Sequence, residues 1–336
     1  VPRDTMAGID YTQTSRRPAW AALPAPVRDR ISSELRAPVD LVEPAGGGFT
    51  NGFAAVVSGG TQRLFVKAVP ATDASIFAAY VREAEVLRAL PTGLPVPLLH
   101  SADLVLAGGI QWQLLCFEAV DGRMPGQPWT VTDLSAVHQS LLTVQSGLRR
   151  LPPGLSGSSM VDEFFGAGSP AGVIDCWGRD GGLPSYLPPL TGQRMSELKA
   201  LTLLGREALA GDSVLHNDLR ADNIIIRHPR GHPGEPAAVF CDWNFLSTGP
   251  AWADWVALLV YPRHAGVDVD PWLTESPLSA DAHPDHIDSW LAVLAALMVT
   301  SGAQPELPTS PLLRAHQRFT ARILIEWISE RRLWEP

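Results

Sequence analysis

One short stretch restricts this chain more than any other. It reads His216-Asn217-Asp218-Leu219-Arg220-Ala221-Asp222-Asn223, and Asp242-Trp243 follows after two apolar runs. The runs are IIIR (224–227) and AVFC (238–241), and the segment between them, HPRGHPGEP, is dense in Pro and Gly. Apolar runs on either side of such a turn pair as an antiparallel hairpin. Closing the hairpin brings Asn223, just before the first strand, beside Asp242, just after the second. Asp218 lies five residues before Asn223 in the same loop. Two carboxylates and an amide oxygen therefore gather at one sheet end. Hard oxygen donors of this kind suit Mg²⁺, which also takes phosphate oxygens and keeps waters.

The 336 residues are enough for two lobes. Residues 19–40 carry apolar positions at helical spacing. Short alternating segments follow, and FAAVV and LFVKAV around SGGTQ read as a hairpin. IFAAYVREAEVLRAL (76–90) is an amphipathic helix stopped by Pro91 and Pro95. LVLAG and IQWQLLCFEAV read as two more strands. After DGRMPGQPW (121–129) the character changes. Helices are predicted over 130–150 and 194–210, with a loop-rich stretch over 152–190 between them. Apart from the IIIR/AVFC hairpin, the remainder is helical. The fold class expected is α+β, two-lobed, with a small β-rich N-lobe holding one main helix and a larger, mostly helical C-lobe. Ligands favour the cleft of such a junction.

Charge and cysteine usage narrow the function. Lys plus Arg number 26 against 35 Asp plus Glu, a net −9. With no basic run, nucleic acid and anionic membranes are poor partners, while a cationic small molecule is welcome. Cys116, Cys176 and Cys241 lie far apart without CxxC spacing, which fits a reducing, cytoplasmic setting. The longest apolar stretch, Trp290 to Val299, is far shorter than the roughly 20 residues of a membrane span. No apolar secretory segment opens the sequence.

The His216–Asn223 loop with its distant Asp242 resembles the catalytic loop and metal-binding Asp of the protein-kinase-like fold, in particular the aminoglycoside phosphotransferase-like small-molecule kinases. Their usual form is H-G-D-x-x-x-x-N with an Asp about 19 residues beyond the Asn, and Asn223 to Asp242 matches that gap. The resemblance implies that Asp218 takes the proton of the acceptor hydroxyl and that Asn223 and Asp242 hold Mg²⁺. Arg220 stands where a cation could neutralise the transferring phosphoryl group or make a structural ion pair. His216 shapes the loop. A nucleotide site also needs a strand lysine held by a helix glutamate. Lys67, the only lysine in the first 190 or so residues, and Glu83 fit those roles, with Glu85 as the fallback. The run Gly46-Gly47-Gly48-Phe49-Thr50-Asn51-Gly52 sits where Gly47, Gly48, Thr50 and Asn51 would approach phosphate oxygens. Carry-over of the family hinge points to Phe117 and Ala119 for adenine, and to Asp254 as the aspartate that braces the loop.

The likeness runs from about residue 40 to 260. This sequence departs from the pattern at Asn217 (for Gly), at Asp242-Trp243-Asn244 (for Asp-Phe-Gly) and at the Pro-Ala-Trp before Asp254. The expected protein is an ATP- and Mg²⁺-dependent phosphotransferase, with GTP as an alternative donor, acting on a small-molecule hydroxyl. An amine-bearing antibiotic or amino sugar fits the acidic balance, which would imply antibiotic resistance. A metabolic kinase for an amino sugar, choline, homoserine or a glycated amine, or a nucleotide-binding pseudokinase, are the alternatives. Residues 1–18 are expected to be a disordered or artificially added tail, 19–118 the nucleotide-binding N-lobe, and 119–336 the C-lobe with the acceptor site. A monomer or homodimer is expected. The 11 tryptophans read as core rather than as an amine cage, and His228, His232, His283 and His286 lack zinc spacing. Asp162, Glu163, Asp175, Asp180, Asp268, Asp270 and Glu275 read singly as surface and together as groups that could meet a cation.

Overall fold

The computed structural model describes residues 11, 14–167, 169, 173–178, 183–228 and 237–334. Most of the HPRGHPGEP turn, with His232, lies outside the described residues, as do Asp180 and the first ten positions. The chain opens with a 3₁₀ turn at Trp20–Ala22 and helix α1 at Ala25–Leu35. The helix is shorter than the predicted 19–40. Pro24 keeps Leu23 before it extended, Pro26 sits in the first turn where a missing N–H costs nothing, and Arg36 ends the helix at φ 58°.

Five strands follow: β1 (Leu41–Pro44), β2 (Phe53–Gly59), β3 (Gln62–Pro70), β4 (Leu99–Ala107) and β5 (Ile110–Glu118), with helix α2 (Ala74–Ala89) between β3 and β4. They form one antiparallel sheet in the order β1-β2-β3-β5-β4. Strand alternation sorts the side chains of its central strands. Leu64, Val66, Ala68, Leu114 and Cys116 pack on Leu23, Val27, Ile31 and Leu35 around α1. The other face, with Val69, Leu115 and Phe117, packs on Tyr80 and Ala84 of α2. Lys67 shares that face, opposite Ala54 and Leu115 in the register. Tyr80, Glu83 and Ala84, at i, i+3 and i+4, turn toward it. The lysine and the glutamate are thus brought together by two periodicities meeting.

Beyond Glu118 the chain is mostly helical. A short strand β6 (Gly122–Arg123) leads to α3 (Val131–Gly147), whose Thr130 hydroxyl caps the helix by accepting from the Asp133 N–H at 3.1 Å. Replacing such a cap by Ala costs about 1 kcal/mol. Strand β7 (Ser158–Ser159) and a short helix α4 (Met160–Phe165) lie in the stretch expected to be loop. Then come α5 (Gly192–Ala208), β8 (Ser213–Leu215), β9 (Ile224–Arg227), β10 (Ala238–Phe240) and β11 (Ser247–Gly249). Helices α6 (Ala253–His264), α7 (Asp270–Thr274), α8 (Pro284–Gly302) and α9 (Leu313–Arg331) complete the chain. Their apolar faces merge into the largest core, in which Trp252, Trp255 and Trp290 are buried. The tryptophans are packing residues there, as their helical spacing predicts.

One expectation needs correction. Of the segment expected to be a tail, Tyr11 and residues 14–18 are described and are not free, because Tyr11 and Thr14 are buried. The Tyr11 hydroxyl meets Nδ1 of buried His316 at 2.7 Å, and the segment that follows binds the glycine run. A stretch without hydrophobic period is held here by hydrogen bonds to backbone carbonyls together with the buried Tyr11 ring, which packs edge-on against Phe49 and His316.

Candidate active site

The hairpin closes as the sequence requires. Ile224 pairs with Phe240 and Ile226 with Ala238, and the Cys241 N–H donates to the Asn223 carbonyl at 2.8 Å. Asp242 follows at φ 63°, a left-handed backbone that a non-glycine residue holds only when its surroundings fix it. Its carboxylate bonds to Lys67 Nζ, which also donates to both Glu83 oxygens at 2.8 Å. Lys67 and Glu83 are buried, and the Tyr80 and Phe117 rings lie 5.5 Å from the ammonium. Glu85 instead pairs outward with Arg82. Burial alone would lower the Lys67 pKa, but Asp242 and Glu83 raise it above the ordinary value, so the amine stays charged. Burial likewise pushes Asp242 upward, and Lys67 outweighs it, leaving the carboxylate below its usual range and ionised.

Asn223 is buried, and its Nδ2 donates to the Asp218 carbonyl at 2.8 Å and to Asp218 Oδ2 at 3.1 Å. That leaves the Asn223 amide oxygen as an acceptor. The other Asp218 oxygen accepts from Arg220 Nη1 at 2.8 Å. Arg220 is gripped in turn by Asp222, through Nε at 3.0 Å and Nη2 at 3.1 Å. The structure therefore sets Arg220 against two carboxylates. Burial raises the Asp218 pKa to about 6, with Arg220 opposing.

The loop is braced from below. Buried Asp254 accepts from the His216 N–H at 2.7 Å and the Asn217 N–H at 2.9 Å. His216 Nε2 meets the Cys241 carbonyl at 2.7 Å, and burial lowers the pKa of the ring, which stays neutral. With the Nε2 proton directed at that carbonyl, Nδ1 accepts the Asp218 N–H at 3.3 Å. Asn217 stands at φ 62°, which explains why Asn can replace the usual Gly, since Asn is among the few side chains that tolerate this region. Its Nδ2 also reaches Glu163 on α4 at 2.6 Å.

The glycine run hangs over this loop. Gly48 takes φ 81°, and a Cβ on Gly47 would lie 3.6 Å from Asp222 Cβ. Arg17 donates to the Gly47 carbonyl at 2.7 Å and the Gly52 carbonyl at 3.0 Å, and reaches the Thr50 hydroxyl at 3.5 Å. Ser15 and Thr14 hold the Gly48 carbonyl. With these carbonyls tied back, the loop is fixed by the preceding segment, and Asn51 stands half-buried beside it. Sequence reasoning missed Arg17, because nothing local marks it. Of the hinge positions, Phe117 lies within β5 between β3 and β4, while Ala119 is half-buried just past the strand end.

A cavity of about 200 Å³ opens from Asp218 into the helical lobe, lined by Tyr261, Trp290, Leu294, Leu297, Met298 and Leu324, among others. Glu163 stands on its wall and is shared with a second hollow near Arg82 and Ser156.

A lysine–glutamate pair from the sheet and α2, an aspartate on a braced loop and an Asn/Asp pair at a hairpin end thus come together in one cluster. The chain belongs to the phosphotransferase enzyme family whose sequence profile (APH) matches residues 41–271. Solved structures share the fold. A microcompartment-associated aminopropanol kinase superposes with TM-score 0.55 at 14% identity, over 88% of this chain and 93% of that one. Wild-type aminoglycoside 2'-phosphotransferase-IIIa in its GDP complex gives TM-score 0.54 at 13% identity, over 90% and 96%. A thermostable mutant of aminoglycoside phosphotransferase APH(4)-Ia, in a ternary complex with AMP-PNP and hygromycin B, gives 0.52 at 12%, over 89% and 98%. No curated protein matches. The family makes this chain a small-molecule kinase with a hydroxyl acceptor. Among the described residues no helix is long and apolar enough to cross a membrane, and no group of three or more His, Cys, Asp or Glu side chains forms a metal cluster.

Proposed function

We propose that this chain transfers the γ-phosphoryl group of ATP, with Mg²⁺, to a hydroxyl of an amine-bearing small molecule. The observation that carries the reading is the meeting of Lys67, Asp218, Asn223 and Asp242 at one place, from positions as far apart as 175 residues. The donor set fits Mg²⁺. Asp242 offers a carboxylate, and Asn223 an amide oxygen whose NH₂ is already directed at Asp218. These two residues would hold Mg²⁺, whose charge would offset that of the phosphates. Lys67, held by Glu83, presents its charge to the triphosphate, and Gly47, Gly48, Thr50 and Asn51 lie along it. Ala119, with the Phe117 ring behind it, would meet the adenine.

Asp218 keeps a lone pair on each carboxylate oxygen beyond its bonds to Arg220 and Asn223. It orients the acceptor hydroxyl and takes its proton. The hydroxyl oxygen then forms the new O–P bond as the bridging P–O bond to ADP breaks. Such chemistry is positioning and electrostatics, with no covalent enzyme intermediate. Arg220 holds Asp218 in place and in its ionised form.

Asp218→Ala is expected to lower turnover on the order of 10²–10⁴-fold, the range of a positioned base. ATP binding by calorimetry should be nearly intact. A fully active Asp218→Ala protein refutes the assignment.

A further inference from the structure

We infer that the acceptor is a compact, mainly apolar alcohol carrying a single amine, with its hydroxyl at Asp218, its amine at Glu163 and its carbon body against α6, α8 and α9. This deepens the phosphotransfer reading and rests on it.

The cavity wall is built from three helix faces. Ala257, Val260 and Tyr261 come from α6, and Leu294, Leu297 and Met298 from α8, each set at i, i+3 and i+4. Thr320 and Leu324 complete it from α9. Leu294, Leu297 and Met298 are only half-buried: they pack against the core and also line the cavity. Polar groups on this wall are already matched to one another. The Tyr261 and Thr320 hydroxyls meet at 3.3 Å, and Trp290 Nε1 donates to the Ala253 carbonyl at 2.9 Å.

Three carboxylates border the cavity. Asp254 is held by two backbone N–H groups and Asp218 is paired with Arg220. Glu163 accepts from the neutral Asn217 amide, and among the described residues it forms no ion pair. One anionic position therefore remains for one ammonium. An acceptor with several amines and a ring of hydroxyls would set its remaining charges and donors against leucine and methionine carbons, where nothing can bond them. On the helical side the space is about 200 Å³, below the roughly 300–1,000 Å³ of drug-sized ligand pockets, so the carbon body placed against these helices is small.

ADP release by the full chain, with ATP and Mg²⁺, can be followed with leucinol, phenylalaninol, their amine-free counterparts isohexanol and phenylpropanol, and the polar antibiotics hygromycin B and spectinomycin. The expected result is turnover of an apolar amino alcohol, with kcat/KM about tenfold or more above its amine-free partner. Glu163→Gln keeps the Asn217 contact and should erase that difference while leaving the KM for ATP unchanged. Higher kcat/KM for either antibiotic than for every amino alcohol overturns the inference and leaves phosphotransfer standing. If no alcohol releases ADP, calorimetry of the same probes with the ADP-bound protein decides. An amine-dependent preference for phenylalaninol that Glu163→Gln removes upholds the acceptor class and sinks the phosphotransfer reading. Absence of any binding by the amino alcohols sinks the acceptor class.

Discussion

On the sheet side of Asp218, charges are paired with charges: Lys67 with Glu83 and Asp242, and Arg220 with Asp218 and Asp222. On the helical side, Tyr261, Trp290, Leu294 and Leu297 offer mostly carbon, and Glu163 forms no ion pair among the described residues. The contrast fits what each half is proposed to hold. A triphosphate brings several negative charges, so its half must supply cations and keep them charged despite burial, which requires carboxylate partners close by. An acceptor need present only one hydroxyl, and the rest of its pocket is free to select by shape and apolar area. The two halves should therefore respond to different substitutions.

The largest separation is expected at Asp242. Asp242→Ala removes a carboxylate that faces both Lys67 and the expected metal position. Mg²⁺-dependent nucleotide binding should be lost, while binding of an apolar amino alcohol, read by calorimetry without nucleotide, should persist. Normal ATP–Mg²⁺ binding by the variant would take Asp242 out of the nucleotide half altogether.

An intermediate effect is expected in the pH profile, because Asp218 belongs to both halves. Its carboxyl must be ionised to take a proton, and burial raises its pKa to about 6. Activity as kcat/KM should thus fall about tenfold per unit as pH drops below about 6. Arg220 opposes that rise, so Arg220→Gln should move the acid limb to higher pH. A limb that stays put or moves to lower pH in Arg220→Gln would show that Arg220 does not hold Asp218 ionised.

The charged half was largely legible in the sequence, for a physical reason. Asn223 and Asp242 follow from closure of one hairpin, while Lys67 and Glu83 are picked out by the family resemblance on a strand and a helix whose periodicities bring them together. Hairpin closure and the two periodicities are short-range geometric consequences that survive whatever the rest of the fold does. The carbon half was not legible. Leu294, Leu297 and Met298 look like any apolar stripe, and only the packing of α6 and α9 against α8 decides that they line a cavity as well as the core. Glu163 read as one surface acid among seven. It becomes distinct only because Asn217, 54 residues away, turns its amide toward it. The same limit hid Tyr11, whose partner His316 is 305 residues away.

Arg17 gives the smallest and most specific test. It comes from the segment expected to be a tail, yet it ties back the carbonyls of Gly47 and Gly52 in the run expected to meet phosphates. Arg17→Ala removes two charge-assisted hydrogen bonds to a partly exposed loop. The loop should then sample orientations in which its N–H groups no longer converge, and ordering it again would draw on nucleotide binding energy. Each bond contributes on the order of 1 kcal/mol net, so the KM for ATP should rise about five- to thirtyfold. The kcat at saturating ATP and the KM for the acceptor should hardly move, because Asp218 and the helical wall keep their own supports. Arg17→Lys retains charge but not the two-point grip, and should recover only part of the loss. Steady-state kinetics with ATP and acceptor varied separately distinguishes these outcomes. An Arg17→Ala protein with unchanged ATP dependence and a weakened acceptor would mean that the strap serves the carbon half, and the division drawn between the two walls would have to be abandoned.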